Sequence, residues 1–161
     1  MEKRAETAPR GAHVRPAPDK QRRVVVRYAD GTMLRGYFDP EDAQSLQNDS
    51  PDVFRVKRED GETEDIFVRT IKAIFFVKSF EGSRHYSEFK VFTNQPNGRG
   101  VWVRVHFQDG EIMEGIAPNS LDTYMQTVFS LTPPDPRSNN ERVLVSKACL
   151  KEMQILGLAA D

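Results

Sequence analysis

The most unusual segment of the chain is Pro133-Pro134-Asp135-Pro136-Arg137-Ser138-Asn139-Asn140-Glu141-Arg142. Arg137 and Arg142 carry the planar, two-pronged donor set that grips a carboxylate or phosphate. Ser138, Asn139 and Asn140 add donors and acceptors suited to a ligand or a partner's backbone. The same residues can also satisfy one another. Asp135 and Asn139 can close Asx turns, and Arg142 can pair with Asp135 or Glu141. A second patch is aromatic, with Phe80, Tyr86 and Phe89 followed by Phe92. Such rings either pack between elements or, where exposed, mark a docking surface. The candidate binding residues are therefore Arg137, Ser138, Asn139, Asn140 and Arg142, with Phe80, Tyr86 and Phe89 as the second patch.

Residues able to catalyse are scattered. His13, His85 and His106 are far apart in sequence, and His106 alternates with Val105 and Phe107, which points it to solvent. No His or Cys pair stands at metal-ligand spacing. Asp30 and Asp109 each sit in an Asp-Gly pair, where a turn role is expected before a catalytic one. The single cysteine, Cys149, allows no intrachain disulfide and reads as a small buried hydrophobe. The expectation is a protein without catalytic residues, metal or cofactor.

The elements that would position these residues come from an internal repeat. Residues 24–37 read VVVRYADGTMLRGY, and residues 103–116 read VRVHFQDGEIMEGI. At a shift of 79, Val24, Val26, Asp30, Gly31 and Gly36 match Val103, Val105, Asp109, Gly110 and Gly115. Residues 71–77 match 150–156 at the same shift, while 66–68 and 53–56 resemble 143–145 and 128–131 at slightly smaller shifts. Within each unit, apolar residues alternate with polar ones as in half-buried strands. Asp-Gly between two such runs is a strong hairpin signal. Gly36 inside the second run predicts a bend. Further strands are expected at Val53–Arg58, Asp65–Thr70 and Ala73–Lys78. The predicted fold is all-β: two tandem SH3-like or Sm-like small barrels related by duplication. The first spans 23–78 and the second 101–157, with an aromatic connector and loop at 79–100 and a tail at 158–161, Gly157 acting as the stop.

Charge is unevenly spread. Residues 1–23 hold seven Lys/Arg against three Asp/Glu, whereas the remainder is acidic. The leader, 1–22, contains Pro9, Pro16 and Pro18 and almost no large apolar residue, so disorder is expected. A basic leader can touch nucleic acid, but an acidic body argues against a nucleic-acid-binding core. The chain has no signal-like apolar run at its start and no stretch approaching the roughly 20 apolar residues of a membrane span. A cytoplasmic location is expected.

The hairpin pattern, the phrase Lys72-Ala73-Ile74-Phe75-Phe76-Val77-Lys78-Ser79-Phe80-Glu81-Gly82 and the phrase Asp135-Pro136-Arg137-Ser138-Asn139-Asn140-Glu141-Arg142 together resemble a family of bacterial proteins of unknown function. The resemblance covers Arg23–Gly157 and implies a bacterial cytosolic protein with no established activity. The hairpins are also similar to those of Sm proteins. However, Arg69-Thr70 stands where an Arg-Gly pair belongs, and no Asn-containing loop follows Asp39 in the expected way. A third, weaker resemblance is to PilZ cyclic-dinucleotide receptors, through Arg23-x-x-x-Arg27 and Asn48-Asp49-Ser50. There Val53 replaces the terminal Gly, and Arg27 lies inside a strand. The favoured expectation is a non-catalytic, regulatory, protein-binding adaptor. The alternatives are a single-stranded RNA or DNA binder using residues 1–23, and a degenerate cyclic-dinucleotide receptor.

Overall fold

The computed structural model describes residues 21–39, 41, 42, 45, 51–82 and 84–160. The expected basic leader lies almost wholly outside the described residues, as do His13 and Asn48–Ser50. Among the described residues there are ten strands: β1 Arg22–Tyr28, β2 Met33–Phe38, β3 Val53–Arg58, β4 Thr63–Phe67, β5 Ile71–Val77, β6 Val101–Phe107, β7 Ile112–Ala117, β8 Val128–Leu131, β9 Asn140–Ser146 and β10 Leu150–Leu158. One short helix, α1 (Leu121–Met125), precedes β8. The all-β expectation holds.

The Asp-Gly pairs make the hairpins as their chemistry predicts. Asp30, Asp60 and Asp109 each accept the backbone N–H two residues on, at 2.9, 3.0 and 2.9 Å. Gly31 and Gly110 take the left-handed φ of 90° that the turn needs. The bend at Gly36 is a close approach: a Cβ there would lie 2.5 Å from the carbonyl oxygen of Lys57 on β3. Several boundaries differ from the sequence reading: the fourth strand starts at Thr63 rather than Asp65, the fifth is Ile71–Val77 rather than Ala73–Lys78, and two further ends have a clear local cause. The fourth strand stops at Phe67, because the Thr70 hydroxyl donates to Phe67 O at 2.7 Å and closes residues 68–70 into a 3-10 turn. The last strand runs through Gly157 to Leu158, with a register shift between Ile155 and Gly157 absorbing the glycine.

The strands form a seven-stranded sheet, β4-β3-β2-β1-β5-β9-β8, and a three-stranded sheet, β10-β6-β7. Ile116 and Thr132 exchange backbone bonds of 3.0 and 2.9 Å, tying the end of β7 to the end of β8. Neither half closes into the barrel its five strands suggested. The edge of β5 that would have to meet β4 is taken by β9, with Ile74 opposite Leu144 and Phe75 opposite Val143. Among the described residues β4 has only β3 as a strand neighbour, and β10 only β6.

β5 is buried along its whole length, and it serves two cores. Ile71, Ile74 and Phe76 join Val24, Val26, Phe38, Phe54 and Ile66 on one face of the sheet. Ala73, Phe75 and Val77 join Val103, Val105, Phe107, Leu131 and Val143 on the other.

Candidate binding groove

The first Asp-Gly turn sets the register of β1 and β2, placing Val25 opposite Arg35 and Arg27 opposite Met33. On the other side of β1, Val25 lies opposite Phe75 of β5. Side chains two apart share a face, so this register gathers Val25, Arg27, Met33, Arg35, Phe75 and Val77 on one surface. The segments 79–82 and 84–92 run beside them as a strap. Together they enclose an open groove of about 310 Å³, walled by Phe80, Glu81, Arg84, Tyr86 and Glu88 of the strap and by Asn139 and Asn140.

The strap is fastened by the Asp135–Arg142 loop, so the two sequence patches meet in space. The Asn139 side chain acts as a strand substitute, donating to Ser79 O at 2.8 Å and accepting from Ser79 N at 3.0 Å. Asp135 is buried. It accepts the Tyr86 hydroxyl at 2.6 Å and the Arg137 N–H at 3.0 Å. Burial opposes ionisation of Asp135, but these bonds, with one from Phe89 N–H, outweigh it and hold its carboxyl below the usual range. The buried Ser138 hydroxyl donates to Glu88, which also accepts from the Asn140 amide at 3.1 Å.

The predicted site residues thus divide. Ser138 and Asn139 spend their polar atoms on holding the strap, and Asn140 holds Glu88 while lining the groove. Phe80 is half-buried edge-on to Tyr37 at 5.5 Å and lines the groove. Tyr86 and Phe89 remain 39% and 51% exposed. Arg137 is exposed and does not line the groove. Arg142 is not brought to it either: its guanidinium lies 4.4 Å above the ring of Phe76, which faces the opposite core. Glu141 pairs with Arg22 at 2.6 Å rather than with Arg142.

The residues that sequence reasoning missed are Arg35 and Arg84. Among the described residues neither has a hydrogen bond or ion pair, and both face the groove. Arg27 stands beside them, 4.6 Å over the Phe75 ring and 3.9 Å from Glu111. The signal for Arg35 was present, because counting back from the Asp30-Gly31 turn sets it opposite Val25. Arg84 carried none, since its place depends on how the strap is fastened. Two arginines without partners above an apolar floor can hold an anionic group while its apolar neighbour packs beneath.

Two further charged clusters are spent on architecture. Lys72 is buried and bridges the halves, donating to Asp109 at 2.6 Å and to Glu111. Its hydrogen bond is the main cause that lowers the Asp109 carboxyl. Glu114 on β7 is fully buried. It accepts the Phe92 N–H at 2.8 Å, Trp102 Nε1 at 3.0 Å, and Arg104 at 2.9 and 2.6 Å. Burial opposes its charge, but these four bonds prevail and lower its carboxyl. The Glu114 N–H donates to Lys90 O at 2.8 Å, and Phe92 packs edge-on against Trp102 at 6.1 Å.

His106 lies on the outward face of β6 and is only partly exposed. It is half-buried between β10 and β7, opposite Glu152 and Ile112, and its Nε2 is buried without a partner. Cys149 is buried and its thiol donates to Ile71 O at 3.2 Å. Among the described residues no three His, Cys, Asp or Glu side chains gather as metal ligands would. No helix there is long and apolar enough to cross a membrane. The family model of a family of unknown function, DUF6982, matches residues 20–157. Comparison with curated proteins and with solved structures found no match.

Proposed function

The chain belongs to the DUF6982 family, a family of unknown function, and we propose that it is a non-catalytic binding module whose groove holds a segment of a partner protein. The observation that carries this reading is the pairing of unpartnered Arg35 and Arg84 with the floor of Val25, Phe75 and Val77. An apolar floor with a few convergent polar groups is the usual make-up of a recognition site. Loops held by a rigid scaffold are where binding residues concentrate. The role is that of a regulatory adaptor in a bacterial cytosol.

The same proposal takes the two halves as tandem Sm-like or SH3-like units that arose by duplication. Its support is positional. β1 and β6, β2 and β7, and the 3-10 turns Val68–Thr70 and Lys147–Cys149 each begin 79 residues apart. Gly36 and Gly115 both press against neighbouring backbone, at Lys57 O on β3 and at Thr132 O just past the end of β8.

The test is affinity purification from the native cell at moderate salt, with nuclease, comparing the wild-type chain with Arg35→Glu, Arg84→Glu. Both side chains line an open groove, so the double variant keeps its fold. The expected result is a stoichiometric protein that survives nuclease and is lost from the double variant. Equal retention by both proteins would remove the groove from the reading. Recovery of RNA alone, released at higher salt, would replace it with nucleic-acid binding.

A further inference from the structure

The second half of the molecule shows what an occupied groove looks like. At the shift of 79, Val25 corresponds to Arg104, Arg35 to Glu114 and Arg23 to Trp102. In the first half this face is the open groove floor. In the second half it is covered by the chain's own strap, residues 89–92. The strap lies along β7 through the bond from Glu114 N–H to Lys90 O, sets the ring of Phe92 against Trp102, and delivers the Phe92 N–H to the buried Glu114 carboxylate. Lys90 adds an ion pair to Glu111 at 2.8 Å. An extended segment with an aromatic side chain therefore fits this face, because the molecule already supplies one, while the Glu114 charge itself is met by Arg104 of β6 and by the Phe92 and Trp102 N–H groups.

In the first half the sign of the key charge is reversed. Where the second half buries Glu114, the first exposes Arg35, flanked by Arg27 and Arg84. Of the two groove acids, Glu88 is engaged by Ser138 and Asn140, and Arg27 is already 3.9 Å from Glu111, which leaves Glu81 against the two unpartnered guanidinium groups of Arg35 and Arg84. We propose that the groove takes an extended segment of another protein that carries acidic residues beside an aromatic one, lying across β1 and β2 as residues 89–92 lie across β6 and β7. The carboxylates meet Arg35 and Arg84, and the aromatic ring packs on Val25 and Phe80, the half-buried apolar residues of the groove. This rests on the reading of the groove as a protein-binding site and names what it recognises.

The probe is a pair of synthetic acetylated peptides, Asp-Glu-Phe-Glu-Val-Phe-Asp and its counterpart with every acid replaced by Lys, titrated into the 15N-labelled full chain. At about 1 mM peptide, where weak contacts still register by chemical shift, the acidic peptide is expected to move the amides of Val25, Arg35, Phe75, Val77 and Phe80. The lysine peptide is expected to leave them in place. Arg35→Glu, a change at an exposed position, is expected to weaken the acidic peptide at least about tenfold, as loss of a charge-assisted pair does. No shifts, shifts centred on another surface, or equal binding by Arg35→Glu would overturn the inference. If the peptide fails while the purified partner is still lost from Arg35→Glu, Arg84→Glu, the groove stands and only its acidic, aromatic ligand falls. If both fail, the groove reading falls with it.

Discussion

Gly36 and Gly157 both sit inside strands, yet their neighbourhoods differ. A Cβ on Gly36 would meet Lys57 O and Val56 Cγ1, each at 2.5 Å, whereas one on Gly157 meets nothing within 4 Å. Backbone on β3 cannot swing aside as a side-chain tip can. Gly36→Ala is therefore expected to destabilise by about 1–3 kcal/mol, the usual cost of forcing extra volume into a packed site. Gly157→Ala is expected to be neutral or to gain up to about 1 kcal/mol, because Gly in a strand carries an entropic cost. Urea midpoints of the two variants check this, and a Gly36→Ala protein as stable as the wild type would show that β2 and β3 are not held at contact distance. Residue-scale legibility is uneven. The bend at Gly36 was readable because glycine inside an alternating run has few other reasons. The burial of Glu114 was not: alternation puts it on the outer face of β7, and only the strap, which comes from another stretch of chain, covers it.

Strands and hairpins were legible where they depend on neighbours in sequence, as at Val53–Arg58 and the three Asp-Gly turns. Even the two-sided burial of β5 left a mark, since Ile71–Val77 is apolar throughout except for Lys72, where a half-exposed strand would alternate. What had no local signal was the partner of β5. Its pairing with β9 joins residues about 70 apart, and nothing in either strand names the other. The strap is similar. Its rings were visible in the sequence, but its fastening to the Asp135–Arg142 loop was not. That fastening can be loosened at one point. Asn139→Ala removes all three side-chain bonds to Ser79, whereas Asn139→Asp keeps the acceptor for the Ser79 N–H. Amide exchange at Ser79 is expected to quicken at least about tenfold in the alanine variant, the loss of roughly one net hydrogen bond. It should stay closer to wild type in the aspartate variant, and β1 and β5 should be unchanged in both. Unaltered exchange at Ser79 in Asn139→Ala would mean that the Asn139 side chain does not hold the strap at this point.

At the scale of the molecule, the halves are joined by more than a connector. The β5–β9 ladder runs from Ala73–Val145 to Val77–Asn140. The Ser146 hydroxyl donates to Val68 O at 3.1 Å, Cys149 to Ile71 O, and Lys72 reaches Asp109 and Glu111 on the β6–β7 turn. Ala73, Phe75 and Val77 complete the second half's core although they belong to the first half's last strand. Cutting after residue 78 would expose these side chains and the backbone edge of β5. Phe75 and Val77 alone are worth about 1.5–3 kcal/mol each when buried. That equals the whole stability expected of a single core below about 70 residues, roughly 3–5 kcal/mol. Residues 21–78 made alone are therefore expected to show an unfolded circular dichroism spectrum or to aggregate through the bare edge of β5. The full chain is expected to unfold in one cooperative transition. A soluble, dispersed amide spectrum from the 21–78 fragment would show that the first five strands satisfy themselves, and that the shared strand is a docking contact between two independent units rather than part of both cores.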